Sequence, residues 1–411
     1  MRTENKREES QTQSMGPEDF RDFVRLELRN RVQNFAVLYV EELIGEELMA
    51  LCGRAGAQIG KRNLAHRGGS QPGWVALDGQ RIRIQKQRAR KEGREIRSER
   101  YAALQDRRDL RAHVEQVMLA GISTRGYDVL LDKTESSLGF SKSAVSREFV
   151  KASRESLNEL NSRTFPDQTF WCIVLDGIAF GGSIAIVALG VDTSGEKHFL
   201  GVSEGSTENF ETCMNLLQSI SARGVKFTDR VLTVMDGSKA LEKAVHQFFG
   251  DTAERQLCYL HRMRNVLAKL PRKYHGEFCR RYRRAFAANR YEDAEEEMNK
   301  IVLWLQSLSF SAAESLKDGI HGILTLHKIG MGSALRLSFY TTNLIDSAFS
   351  NPRSHLNRVK RTQPKTDQVL RWVGALLYEQ EKQFRRVRSY RSISNFLITF
   401  LQKDVAEKKS A

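Results

Sequence analysis

The chain has 411 residues, 40% of them hydrophobic, and a formal net charge of +15 at pH 7. That length and apolar content exclude a disordered chain and allow about two to four domains. The positive excess favours polyanionic partners through steering and counterion release, but does not say which.

Five widely spread cysteines (Cys52, Cys172, Cys213, Cys258, Cys279) suit reduced thiols better than a disulfide framework. Met1 to Ser10 is almost wholly polar, and the longest apolar stretch, Ile178 to Val191, is broken by three glycines and a serine. Neither a secretory signal nor a span of about 20 apolar residues is visible, so a soluble, cytoplasmic, nucleoid-associated protein with no membrane partner is expected.

Residues 1–18 read as a polar, disordered tail. From Glu18 to Leu51, Phe23, Leu26, Val32, Phe35, Leu38, Leu43 and Leu48 recur near helical spacing and predict one or two amphipathic helices. A turn-rich patch, His66 to Gly73, precedes two strand-like runs, Trp74 to Leu77 and Arg81 to Gln85, joined by Asp78-Gly79, a strong hairpin signal. Between Arg81 and Arg111 there are twelve Lys or Arg against five Asp or Glu. This surplus reads either as a solvated, charge-laced face or as phosphate contact through Arg81, Arg83 and Lys86. Residues 19–113 are therefore a candidate DNA-binding and dimerisation region of helices and a basic β-hairpin.

Residues 114–160 predict three short helices: Val114 to Ala120, Ser123 to about Leu131, and one capped by Ser141 or Ser143 running through Val150. The last two, separated by Leu138-Gly139-Phe140, have helix-turn-helix proportions. In such a module the second helix enters the major groove, here presenting Ser141, Lys142, Ser143, Ser146 and Arg147. Helix pairs that never touch DNA are common, so the pattern alone does not decide.

The next stretch carries chemistry. Phe170 to Leu175 is an apolar run ending in Asp176-Gly177. Gly181-Gly182 turns into a second run, Ile184 to Val191, and His198 to Val202 makes a third. An amphipathic helix follows, with Phe210, Met214, Leu217 and Ile220 on one face. Val231 to Met235 ends in Asp236-Gly237, Ala240 to Phe249 is helical, and Arg255 to Tyr259 is one more strand. The pattern is βββαβαβ, with the fourth strand parallel to the first through a crossover helix. Both aspartates then lie beyond strand carboxyl ends, where open α/β sheets bind ligands. Phosphodiester chemistry uses two Mg²⁺ ions about 3.5–4 Å apart, held by carboxylates, to clamp the attacking and leaving oxygens. Taken singly, each Asp-Gly is an ordinary turn; their repetition on two neighbouring strands is the signal.

From about Glu42 to Leu401 the chain resembles Mutator-type bacterial insertion-sequence transposases. The resemblance rests on several motifs in order. These are Gly121-Ile-Ser-Thr-Arg125 with Ser143-Ala-Val-Ser146, Leu175-Asp-Gly-Ile178, Val191 to Phe210 and Asp236-Gly-Ser-Lys-Ala-Leu241. They continue with Cys258-Tyr-Leu-His261, Thr341-Thr-Asn-Leu-Ile-Asp-Ser347, and Arg371-Trp372 with Glu381-Lys-Gln-Phe384. It implies a multidomain α+β protein: an α-helical N-terminal DNA-binding region with a helix-turn-helix, and an RNase H-like α/β catalytic domain. That domain would occupy residues 165–264 and 336–405, interrupted by a helical insertion at 265–335. The resemblance also implies terminal inverted repeats and target DNA as double-stranded partners, two Mg²⁺ ions with Mn²⁺ able to substitute, and Asp176, Asp236 and Asp346 as catalytic, metal-holding residues. Paired cleavage of two ends suits a homodimer.

The third acid departs from the family pattern, which has Glu where this chain has Asp346, an arm shorter by on the order of 1.5 Å. Asn343 and Asp346 also fit a helix N-cap with an acid at N3. Cys258 and His261 fit an element flanking the site, or, with His275 and Cys279, a zinc site. The leading expectation is a DNA transposase performing Mg²⁺-dependent cleavage and strand transfer. The alternatives are a transposase-derived sequence-specific DNA-binding protein with reduced or lost catalysis, and an RNase H-like nuclease, which the long basic N-terminal part disfavours.

Overall fold

The computed structural model describes residues 16–54, 65–77, 80–124, 127, 137–138, 141–205, 209–348, 359, 362 and 366–407. The chain divides into two compact units, Met1–Ala152 and Ser153–Ala411. Among the described residues no helix is long and apolar enough to cross a membrane. The predicted disordered tail lies almost wholly outside them.

In the first unit α1 (Pro17–Cys52) is one unbroken helix, not two. Its second half has a core to face. Val40, Ile44, Leu48 and Cys52, spaced four apart, pack with Val75, Ile82, Ile84, Ala89 and Tyr101. The last five of those side chains belong to or follow a hairpin of β1 (His66–Leu77) and β2 (Gln80–Lys91). β3 (Arg94–Ile96) pairs along the other edge of β2. Both hairpin strands run further than the sequence suggests, and the Asp78-Gly79 turn lies outside the described residues. β1 takes in the patch read as turns because it is an edge strand, where Pro72 is tolerated, with a register shift between Arg67 and Ser70 and Gly69 at φ +80°. Short α2 (Glu99–Leu104) is capped by Ser98, whose Oγ accepts from Tyr101 N at 3.0 Å. α3 (Arg108–Leu119) buries Leu110, Val114, Met118 and Leu119.

Most of the predicted helix Ser123 to Leu131, with Gly139 and Phe140 of the predicted turn, lies outside the described residues. Directly upstream of them β4 (Ser137–Leu138) pairs with β2, so the chain is extended there. α4 runs from Lys142 to Ser162, well past the predicted end at Val150. Its buried stripe continues through Ala152, Ser153, Ser156, Leu157 and Leu160. Two of those five positions are serines, which hide the helical period from a reading based on apolar residues.

The second unit is built on a five-stranded sheet: β5 (Thr169–Phe180), β6 (Ser183–Asp192), β7 (Lys197–Gly205), β8 (Lys226–Met235) and β9 (Ala253–Leu257). The strand order is β7-β6-β5-β8-β9. The first three strands are antiparallel to their neighbours, and β8 and β9 run parallel to β5. α5 (Phe210–Ala222) makes the crossover, burying Cys213, Leu216, Leu217 and Ile220, while Phe210 and Met214 are half-buried. α6 (Lys239–Phe249) connects β8 to β9.

α7 (Tyr259–Leu267) leads into a run of helices. These are α8 (His275–Phe286), α9 (Tyr291–Gln306), α10 (Phe310–Lys317), α11 (Ile320–Ile323), α12 (Thr325–Lys328) and α13 (Ser333–Phe339). Phe278, Tyr282, Met298, Leu305 and Leu316 from this run share one apolar core with Met235, Leu241 and Leu257. α14 (Gln368–Glu381) and α15 (Ile393–Glu407) close the fold. Trp171, fully buried, meets Phe339 and Phe396 edge-on at 4.9 and 5.7 Å between ring centroids.

His198 sits between Asp192 (3.8 Å) and Glu381 (3.7 Å) at the start of β7. Burial alone would lower its pKa, but the two carboxylates outweigh burial and push it up to about 9. A folded-state pKa above the unfolded one stabilises the fold fully below about pH 6.5, and that contribution is lost as pH rises towards 9. Thermal melts should therefore show on the order of 3 kcal/mol of stability lost across that window, a slope that His198→Gln removes. An unchanged slope in the variant would refute the assignment.

Candidate active site

β5 is buried on both faces because neighbours cover it above and below. Ile173 and Leu175 join the core that contains α5, so strand alternation puts Val174 and Asp176 on the opposite face. The sequence placed Asp176 at the end of its strand. The strand in fact continues to Phe180, because Gly177 to Phe180 keep pairing with β6 into the Gly181-Gly182 turn. Relative to β8, however, Asp176 is at the carboxyl edge: Leu175 pairs with Met235, the last residue of β8. Asp236 follows one residue on, on a strand spaced about 4.8 Å away.

Asp236 also makes the turn that its Asp-Gly sequence suggests. Its Oδ1 accepts from Ser238 N (2.9 Å), and Ser238 caps α6 through Leu241 N (3.3 Å). Gly237 holds φ +85°, a conformation that favours glycine. The turn and the carboxylate's position are one feature.

The third acid arrives through Cys258. Tyr259 N donates to Tyr340 O (2.9 Å), and Thr342 donates to Cys258 Sγ from its backbone N (3.5 Å) and its Oγ1 (3.6 Å). Thr341 and Thr342 are buried, and residues 343–348 are helical, with Asp346 N donating to Thr342 O at 3.1 Å. The Asn343 N–H that a capping box would offer to Asp346 goes instead to Thr341 Oγ1 (3.2 Å), and Asn343 itself is exposed.

These segments bring charged groups together around Asp176, which is 5% exposed. Burial pushes its carboxyl up to about 7, and repulsion from Asp346 and then from Asp236 adds to this; His261 and a hydrogen bond from Thr342 oppose it. His261 is raised to about 9, first by its hydrogen bond to Cys258 and further by Asp176 and Asp236. Burial would raise the Cys258 thiol, but His261 and backbone hydrogen bonds bring it below its ordinary value. The result is an imidazole favoured in its protonated form beside Asp176 and Asp236, in a cluster that Asp346 joins through Asp176. A carboxylate cluster that repels itself suits divalent cations with oxygen ligands, so the residues present fit Mg²⁺.

The sequence left two contributors unassigned. Thr342 bonds both Asp176 and Cys258, although its motif was legible. Glu242, one turn into α6, has its pKa raised by burial, with Asp236 adding to the rise and Arg262 and Arg255 opposing. An acid six residues after a strand-end acid, in the first turn of the next helix, was the available signal.

Among the described residues, the one group of three whose ligand atoms lie within 4.8 Å of one another is Asp192, Glu196 and His198. Cys258, His261, His275 and Cys279 do not converge in that way, and His275 Nε2 is bonded to Leu270 O (2.8 Å). Asp192 pairs with Phe170, at the far end of β5 from Asp176. Its Oδ1 already accepts from Ser194 N, Ser194 Oγ and Glu196 N, Glu196 pairs with Arg386 (2.9 Å), and His198 is held protonated. This network pins the β6–β7 turn; a protonated imidazole is no metal ligand.

In the first unit Ser141 caps α4 through Ala144 N (3.2 Å), and Lys142, Ser143, Ser146 and Arg147 are exposed on its first turns. Arg83 is exposed on β2, while Ile82 and Ile84 on either side are buried. Arg81 lies over Trp74 at 5.6 Å. Lys86 faces the other way, ion-paired to Glu95 (3.0 Å) and stacked on Tyr101 (4.8 Å), which gives it a structural task within the hairpin.

A mixed α/β fold with an acid-lined edge of this kind is a frame for phosphodiester chemistry. The chain belongs to the Mutator family of transposases, whose model matches residues 11–387. It is 27% identical over 296 residues to the transposase for insertion sequence element ISRM5 of Rhizobium meliloti, covering 69% of this chain and 71% of that protein. It is 23% identical over 301 residues (70% and 73%) to the transposase for IS256 in transposon Tn4001 of Staphylococcus aureus. It is 29% identical over 168 residues (41% and 50%) to the transposase for IS6120 of Mycolicibacterium smegmatis.

Proposed function

We propose that the chain is a DNA transposase with an RNase H-like catalytic domain, which binds the terminal inverted repeats of its own element and cuts and joins DNA at Asp176, Asp236 and Asp346. The observation that carries this reading is the convergence of Asp236 and Asp346 on buried Asp176, from three separate chain segments. The sheet order, with three antiparallel strands followed by two parallel to the first, supports it.

Two Mg²⁺ ions, or Mn²⁺, held by these carboxylates would supply the clamp on the attacking and leaving oxygens. Asp176, Asp236 and Asp346 are the residues that would hold them, with Asp176 the most deeply buried of the three. Thr342 orients Asp176 and ties the Asp346 segment to Cys258. The His261 imidazolium balances the carboxylates' charge before substrate arrives.

Exposed Lys142, Ser143, Ser146 and Arg147, with Ser141 capping their helix, form a recognition face of helix-turn-helix type, and Arg83 and Arg81 add phosphate contacts. The work is then done on chromosomal DNA at the nucleoid. The test incubates the protein with oligonucleotides from its element's ends and Mg²⁺ or Mn²⁺. Metal-dependent nicking is expected; binding without nicking favours the non-catalytic DNA-binding reading, and no DNA binding defeats both.

The partner of α1 is a second copy of this chain. Phe20, Val24, Leu28, Val32, Phe35, Leu38 and Tyr39 are each 43–70% exposed. At helical spacing they form one stripe, opposite the face that carries Val40, Ile44 and Leu48. Such a patch, on the order of several hundred Å², exceeds what a monomer commonly leaves in water and approaches the roughly 800 Å² per partner of a stable pair. Leu28→Glu with Phe35→Glu should convert a sedimenting dimer to monomer without changing the melting of the second unit. A monomeric wild type would remove this part of the reading.

A further inference from the structure

α7, α8 and α13 border an open cavity of about 670 Å³ whose lining includes Tyr259, Phe286, Tyr340, Leu337, Arg283 and Arg336, a volume in the range of ligand sites. Tyr259, Phe286 and Tyr340 pack on one another with ring centroids 4.8–5.4 Å apart and form an aromatic wall. Leu337, 53% exposed, is an apolar rim. Arg283 is exposed at the edge.

Arg336 is the anomaly. It is only 3% exposed, and its Nη1 is buried with no hydrogen-bond partner. Among the described residues its guanidinium has no carboxylate partner. Its neighbour His327 offers no negative charge: burial and then Arg336 itself push His327 down to about 4, leaving it neutral. A buried cation without a counter-charge is strongly unfavourable, so this corner of the cavity suits an anion. The wall beside it is aromatic, with half-buried Tyr340 its most accessible ring. One chemical class satisfies both demands: a nucleotide, with a phosphate for the guanidinium and a base for the rings. A base inside an intact duplex cannot reach such a wall, because its faces are already stacked; an unpaired one can.

The place fits the chemistry next door. Tyr259 follows Cys258 directly, and Tyr340, whose carbonyl accepts from Tyr259 N, stands two residues before Thr342. The first of these two chain segments also carries His261 and the second Asp346, both of which act on Asp176. We propose that this cavity receives one unpaired nucleotide of the DNA substrate close to the cutting site, its base against the Tyr259–Phe286–Tyr340 wall and its phosphate on Arg336 and Arg283. This rests on the transposase reading.

The test uses the full-length protein, without activating metal. Binding is measured to a blunt duplex and to the same duplex carrying a short single-stranded flap with 2-aminopurine in it. Wild type is expected to bind the flap about tenfold more tightly, the contribution of about one stacked base, and to quench its fluorescence. Arg336→Gln should bring that ratio to about one while blunt-duplex binding stays the same. Leu337→Glu, a surface change that offers a carboxylate to the arginines, should do the same and guards against a folding defect in the first variant. Equal wild-type binding of both DNAs, a ratio that survives in both variants, or an equal loss on both DNAs would overturn the proposal. Failure of wild type to bind even the blunt duplex would instead overturn the transposase reading on which it rests.

Discussion

Asp176→Asn is expected to abolish metal-dependent nicking, by on the order of 10³-fold or more, while leaving binding to the element ends intact. A thousandfold corresponds to about 4 kcal/mol of lost transition-state stabilisation, which is modest for the central carboxylate of a metal cluster. The same substitution should make the metal-free protein more stable. Asp176 is 5% exposed, and burial, then Asp346 and Asp236, raise its pKa from 3.8 to about 7. For an acid whose folded pKa lies above its unfolded one, ionisation favours the unfolded chain. The penalty is absent below about pH 3.8, grows between there and 7, and is complete above 7. Its ceiling is about 4 kcal/mol. Thermal melts without metal at pH 8 should therefore rise in the variant, and the difference should shrink at pH 5. Added Mg²⁺ or Mn²⁺ should raise the wild-type melting temperature in a concentration-dependent way and the variant's much less. A dead enzyme that melts lower in every condition would mean that the substitution merely damaged the fold.

The pairing of Asp176 with Asp236 was legible in the sequence because two local patterns coincide: each follows a short apolar run, and a helix of crossover length separates their strands. What was not legible depended on partners distant in the chain. Gly177 to Phe180 extends β5 because β6 returns beside it, and nothing within those four residues says so. The glycines and Pro72 of β1 read as turns, since composition does not reveal that a strand lies at an edge. Serines 153 and 156 broke the helical period of α4 while being buried in it. Lys86 reads as one more base in a basic run, but Glu95, two residues past the tight turn at Glu92-Gly93, pairs with it. Arg336 carried no signal at all: an arginine in a helix is ordinarily solvated, and only packing makes this one a buried, unmatched charge.

On the proposed reading, whether this copy still cuts DNA turns on Asp346. Where the resemblance expects glutamate, the shorter Asp346 side chain is still near enough to Asp176 to push its carboxyl up, second only to burial. Its segment is also held from behind, with Thr342 bonded to Cys258 Sγ and Asp346 N donating to Thr342 O at 3.1 Å. On the proposed reading, these bonds hold the helical stretch where an aspartate serves. Asp346→Asn should then lower nicking by on the order of 10²- to 10³-fold, about 3–4 kcal/mol, with unchanged DNA binding. Asp346→Glu, which lengthens the arm by on the order of 1.5 Å, should stay within about tenfold of wild type, since a carboxylate is kept and only its reach changes. Single-turnover nicking of element-end duplexes measures both. The opposite pattern, a wild type that binds without nicking and a glutamate variant that cuts, would identify a transposase-derived DNA-binding protein whose catalysis was lost with one methylene. The metal-dependent melting shift separates the two cases independently. A competent three-aspartate site raises its melting temperature with Mg²⁺ before any DNA is added, and a site spoiled by the short arm does so only after Asp346→Glu.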